Sequence, residues 1–250
     1  IASCLVGSEM CIRDSGYTLL IGNQGPMVVN PHIFKLRNDP AETLDPIAMI
    51  ADAQLVVVAG PSLQVNSMQE LLEKAKQDQL VYGSAGNASA SHVATLLLGQ
   101  MAGIKLKHVP YKGAGPAIND LLGGHVDFMV TTVPSVIGLV QDGTLKALAV
   151  TGKERFEALP NVPTVAESGL PEYSASAWYG LLGPKGLPED VRAKLAAGTE
   201  ETLRDPAFIE SLQKDGGVPS HLVGQDFADF MAAERARWGE VVKAADIKVE

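Results

Sequence analysis

From residue 17 onward, short apolar runs alternate with stretches of 3.6-residue period. Residues 17–21 read as an apolar strand that stops at Gly22, Asn23, Gln24, Gly25 and Pro26, a turn-forming cluster. Residues 54–59 contain three consecutive valines and read as a strand buried on both faces. Ser67-Met68-Gln69-Glu70 has the form of a capping box, and the helix behind it is expected to bury Leu71, Leu72 and Ala75. Strands are then predicted over 80–83, 106–109, 126–131 and 146–150, with helices over 92–102, 116–122 and 135–142 between them. Strands alternating with helices predict an α/β fold with mainly parallel sheets covered on both faces.

The stretch 158–173, broken by Pro160, Pro163 and Pro171, leads into a strand over 176–182 and reads as a crossing between lobes. The remainder is helical: 188–205, a shorter helix from Pro206, and a long one over 225–245. In that last helix Phe227, Phe230, Met231, Glu234, Trp238, Val241 and Val242 recur at helical spacing, which makes Trp238 a core residue. Residues 1–15 show neither period. Their text has the look of translated adapter sequence, so they are set aside as a non-native leader.

Composition narrows the function classes. The net charge of −9 on 250 residues, with no basic run, removes the electrostatic term that dominates binding to nucleic acid and anionic membranes. No apolar stretch is long enough to span a bilayer. The two cysteines, Cys4 and Cys11, both precede Gly16, so the body of the chain has no disulfide and no thiol nucleophile.

Catalytic signatures are missing. The five histidines, His32, His92, His108, His125 and His221, lack metal-ligand spacing. The glycine-containing stretch at 83–89 lacks the Lys-Ser/Thr of a phosphate loop and the GxGxxG of a dinucleotide site, and no GxSxG elbow occurs. No catalytic residue, metal or cofactor is expected. The same stretch does place Ser84, Gly86, Asn87, Ala88 and Ser89 at the end of a strand and the start of a helix. Free N–H groups and the positive end of the helix dipole meet there and suit a carboxylate. The competing reading is that Ser89 or Ser91 merely caps the helix. Thr131, Thr132 and Ser135 repeat the arrangement at the next strand end, and Asn23 with Gln24 offers a third loop. In an open α/β sheet, ligands sit outside the carboxyl ends of the strands, which would put all three loops on one rim. Lys112 also follows a strand end and reads as a solvated lysine.

Five runs carry a family resemblance: GYTLLIGNQGP (16–26), YGSAGNASASHVA (82–94), HVPYKGAGPAINDLLGGHVDFM (108–129), LKALAVTGKERFEALPNVPTVAESGLPEY (145–173) and WGEVVKAADIKVE (238–250). They resemble the Bug or TctC family of extracytoplasmic receptors. The resemblance implies a monomeric, periplasmic, two-lobed binding protein of the type II flytrap kind, which is not an enzyme. It would hold a di- or tricarboxylate, an amino acid or an aromatic acid by backbone amides, hydroxyls and waters and deliver it to membrane permease subunits. The lobes implied are 16–54 with 178–250, and 55–177. Many relatives have Asp where Thr131 or Thr132 stands here. Relatives also begin with a strand, a Pro-Gly-Gly loop and a helix, a βαβ unit on the order of 30 residues. Without it the first lobe is a remnant, expected to be less stable and to bind weakly. Two other readings remain open at the level of sequence: an α/β enzyme acting on an anion, and an effector domain of a DNA-binding regulator.

Overall fold

The computed structural model describes residues 18–214 and 216–245. The expectations for residues 1–15, for Tyr17 and for the last five residues fall outside that range. β1 (Leu20–Asn23) opens the described chain. The expected turn after it is instead a helix: a π-helical turn at Gly25–Val29 continues as α1 (Asn30–Ile33). Pro26 sits in its first turn, where the missing N–H costs nothing. α2 (Pro40–Thr43) follows, capped by the Asp39 carboxylate on the Ala41 N–H.

β2 (Leu44–Ala59) is 16 residues long, ten residues longer on its N-terminal side than its valine run predicts. Beyond it come α3 (Met68–Gln77), β3 (Val81–Ser84), α4 (Ala90–Ala102), β4 (Lys107–Pro110), α5 (Ala114–Leu122), β5 (Phe128–Thr132), α6 (Val133–Gln141) and β6 (Lys146–Val150). Then β7 (Ser176–Pro184), α7 (Glu189–Leu203), α8 (Pro206–Lys214), the short β8 (Gly217–Pro219) and α9 (Gln225–Ala244) complete the described chain. The capping box at α3 is half as expected. The Ser67 hydroxyl accepts the Glu70 N–H, but the Glu70 carboxylate reaches one residue further back, to the Asn66 N–H at 2.7 Å.

β2 joins two sheets. Up to Gln54 it pairs with β7, from Leu44↔Pro184 to Gln54↔Ser176, and with β8; from Leu55 it pairs with β5 on one side and β6 on the other. The strand orders are β1-β7-β2-β8 and β6-β2-β5-β3-β4. The expectation of mainly parallel sheets needs correction. In the second sheet β3, β4, β5 and β6 do point the same way, but β2 opposes them and sits between β5 and β6, so those two ladders are antiparallel. In the first sheet every ladder among the described residues is antiparallel, because β7 returns from the second sheet against β2. The first sheet is antiparallel and the second mixed, and the α/β class stands.

Alternation along β2 sets the core. Leu55, Val57 and Ala59 enter a large cluster that also takes in Val93, Trp178, Phe227 and Trp238. Val56 and Val58 enter a second cluster with Leu121, Met129 and Val136 on the opposite face. Covering both faces explains the unbroken valine run. Of the apolar residues expected on α9, Phe227, Trp238, Val241 and Val242 are buried, while Phe230 and Met231 pack at the edge; on α3, Leu72 is only partly buried. α9 also bridges the sheets. Arg235 holds both carboxylate oxygens of Asp39, and the Val241 carbonyl accepts from Gln100 of α4 at 2.7 Å.

Candidate functional site

Between β3 and α4 the 84–89 loop is shaped by its own hydroxyls. Ser84 is fully buried. Its Oγ takes the Gly86 N–H, lies 3.1 Å from the Gly86 carbonyl, and meets His108 Nε2 at 2.6 Å. Ser89 caps α4 by accepting the His92 N–H and donates to the Gly86 carbonyl at 2.7 Å. Ser91 accepts the Ala85 N–H at 2.9 Å. The capping alternative therefore holds for Ser89, and Ser91 ties the loop from within. What faces outward is Asn87. Gly86 adopts φ +135° and Ala88 φ 61°, so the loop turns back sharply at both residues.

The second loop is simpler. Thr131 is buried in β5 opposite Val56, so its hydroxyl belongs to the sheet; Ser135 is exposed, with its Oγ 2.7 Å from Thr132 Oγ1. No side chain caps α6, which leaves its N-terminal amides open to a ligand. In the third loop Asn23 is exposed but Gln24 is buried. With its amide oriented to satisfy both ends, Gln24 donates to the Ser176 carbonyl at 2.9 Å and accepts from Trp238 Nε1 at 2.8 Å. It clasps β7 to α9 and does not face a ligand.

One close approach joins the third loop to the first, and another joins the second loop to the segment before β8. A Cβ placed on Gly25 would stand 3.1 Å from the Ala88 carbonyl, and one on Gly216 would stand 3.2 Å from Pro134 Cδ. The helix starting at Gly25 thus abuts the 84–89 loop, and the segment before β8 abuts the start of α6. Two open concavities, of about 690 Å³ along α7 and α8 and about 770 Å³ beside His32 and α9, lie away from all three loops.

Electrostatically the junction depends on backbone. Lys112 is exposed beyond β4. Burial, then the neighbouring His108, pushes His92 down to about 3, and burial pushes His108 down to about 4, so both rings are neutral at physiological pH. Sequence reading noted these two histidines only as scattered. In fact the parallel register Tyr82↔His108 sets His108 beside β3, where it stacks on His92 with centroids 4.0 Å apart. The contact of Ser84 with His108 has the form of a nucleophile and base. Yet the hydroxyl is fully buried and the imidazole is a poor base, which leaves nothing to deliver to a substrate. Among the described residues, no cluster of three or more His, Cys, Asp or Glu is arranged to hold a metal ion.

An α/β fold whose two sheets share one long strand, with the start of the helix after β1 set against the loop that leads into α4, is the arrangement of a two-lobed solute-binding protein. The chain belongs to the tripartite tricarboxylate transporter receptor family, TctC, whose profile matches residues 4–247; such receptors are non-enzymatic components of transport. It is 31% identical to the protein BugT of Bordetella pertussis, over 100% of this chain and 78% of that protein. Among solved structures it is similar to R. palustris Rpa4515 with adipate (31% identity, TM-score 0.86, 95% of this chain and 80% of the other). It is also similar to MatC of Rhodopseudomonas palustris with bound malate (28% identity, TM-score 0.80, 92% and 80%). Family members are periplasmic binding proteins, and no helix among the described residues is long and apolar enough to cross a membrane.

Proposed function

We propose that this receptor captures a small carboxylate between its lobes, where the helix after β1 meets the 84–89 loop and with the 131–135 loop contributing, and delivers it, from the periplasm and as a monomer, to the membrane permease subunits of its transporter. The observation that carries this reading is the approach of Gly25 to the Ala88 carbonyl, which sets the start of one helix against the loop that starts another. Helix N-termini hold anions through otherwise unpaired N–H groups, each charge-assisted hydrogen bond contributing about 1.5–3 kcal/mol. Two or three such bonds anchor one carboxylate despite the net charge of −9. Adipate and malate, bound by the two similar receptors, carry carboxylates at both ends, which supports a small carboxylate as the ligand.

Asn23, Asn87 and Ser135 are assigned to the ligand; Gly86, Ala88 and Ser89, whose N–H groups bond Ser84 Oγ, His92 Nδ1 and the Gly86 carbonyl, shape the loop around Asn87, and Gln24, Ser84 and Thr131 support it from behind. The lobes divide at residues 54/55 and 177/178, where β2 exchanges β7 and β8 for β5 and β6 and β7 begins its return. Rotation about these two crossings opens the junction to admit ligand. Isothermal calorimetry of the purified chain against succinate, malate, adipate, citrate, glutamate and benzoate tests the reading. Saturable binding of at least one is expected, and heats indistinguishable from buffer for all six would remove it.

A further inference from the structure

We infer that His92, backed by His108, is the positioning residue that holds the 84–89 loop in its ligand-receiving shape, an inference that rests on the carboxylate reading above. Ala88 is the only non-glycine residue with positive φ among the described residues, at 61°. A side chain makes that conformation unfavourable, so something must hold it. Its N–H donates to His92 Nδ1 at 3.0 Å, and its carbonyl faces Gly25 at the start of the helix after β1. His92 is 3% exposed. Its ring lies 8° from parallel to His108, which stacks in turn on Tyr82 with centroids 4.8 Å apart. His108 reaches Ser84, and Ser84 bridges the amide and carbonyl of Gly86. One stacked pair of rings therefore fixes the loop at two points: His108 acts through Ser84 on Gly86, and His92 acts directly on Ala88. Asn87 lies between those points and is the residue presented outward. Accepting a hydrogen bond at Nδ1 puts the His92 proton on Nε2 and requires a neutral ring, which burial secures.

The test separates this role from simple packing. His92→Phe keeps a ring to stack on His108 and removes the acceptor. His92→Asn keeps an acceptor near the Nδ1 position and loses the ring. Ala88→Gly removes the need to hold a side chain at positive φ. Two readouts are taken on the full chain: amide hydrogen exchange at Ala88 without ligand, and calorimetric affinity for the six carboxylates above. In His92→Phe, exchange at Ala88 is expected to rise about tenfold and affinity to fall about as much, the loss of one buried hydrogen bond. His92→Asn should keep more of both, and adding Ala88→Gly to His92→Phe should recover most of the affinity. The reverse order, with His92→Phe indistinguishable from wild type and His92→Asn impaired, overturns the inference in favour of packing. A wild-type chain that binds none of the six refutes the carboxylate reading alone. Exchange at Ala88 then still decides this one, and equal rates in wild type and His92→Phe overturn it.

Discussion

Acidification from pH 7 to pH 5 should weaken the fold, and the His92 and His108 pair sets how much. In the folded chain His92 titrates near 3 and His108 near 4, against 6.5 for an exposed imidazole. Between pH 6.5 and those values the unfolded chain binds a proton at each site that the folded chain refuses. Stability is therefore fully present above pH 6.5 and falls as pH drops toward 4. At pH 5 the unfolded state has gained about 1.5 pH units of protonation free energy, about 2 kcal/mol for His92. His108, near 4, is likewise still neutral in the folded chain at pH 5 and adds a similar amount. That is a large share of the roughly 5–15 kcal/mol that holds a typical domain. Two ion-paired carboxylates leave the window clear. The pairing of Asp39 with Arg235 and of Asp45 with Lys185 and the Gly186 amide holds those two groups below 3.8, so their contribution is lost only at lower pH. Asp52, raised by burial, works the other way: its folded form takes up a proton as pH falls and offsets part of the loss. Urea unfolding at pH 7, 6 and 5, run on wild type and on His92→Phe, measures the term. The variant should lose about 2 kcal/mol less than wild type across the interval. Equal losses in the two proteins would refute the assignment of the slope to this ring.

Other substitutions test the frame around the junction. Gly180→Ala would drive a methyl into the Phe227 ring, 2.7 Å from Cε1, and 3.3 Å from the Ala48 carbonyl. A loss of about 1–3 kcal/mol in urea unfolding is expected, and an unchanged midpoint would show that the β7 and α9 packing is looser than described. Trp238→Phe removes the Nε1 donor shared by Gln24 and Glu234, leaving the buried Gln24 amide short of a partner. It should cost about 1–3 kcal/mol beyond the difference in ring size, with Gln24→Leu in the same background recovering part of it. Gly25→Ala sets a methyl against the Ala88 carbonyl. Calorimetry should report carboxylate affinity down several-fold with a thermal midpoint close to wild type, whereas full affinity would move the ligand away from this contact.

The alternation of strands and helices from α3 to β6 could be read from sequence because each apolar run there packs locally against its own crossover helix. β2 could be read only in its second half. Its first half contains Asp45, Pro46 and Asp52, residues that argue against a central strand. They are tolerated because the register with β7 shifts between Pro46 and Ala48, and because Asp45 is paired with Lys185 and the Gly186 N–H. Both features depend on chain some 140 residues away. The helix after β1 was hidden for a related reason, since Gly25-Pro26 carries the same signal in a turn as in the first turn of a helix.

The candidate site divides along the same line. A loop of small and hydroxyl residues before a helix is a local property, and the stretches 84–89 and 132–135 do lie at the passage from a strand to a helix, whereas Gln24 and Gly25 already begin one. The direction in which each polar group faces is a long-range property. Ser84 is turned inward by His108 on the next strand, Gln24 by Ser176 and Trp238, and Thr131 by its register with Val56. A ligand loop needs a rigid back as well as a polar front, and hydroxyls and amides serve for either. Their type therefore cannot say which side they serve. Ala88 makes the same point from the backbone. Where φ is positive a glycine would have marked the turn, and an alanine conceals it. The strain it introduces is bearable only because a histidine four residues on accepts its N–H. The residue that looked least like chemistry in the loop is thus the one whose support the receptor most depends on.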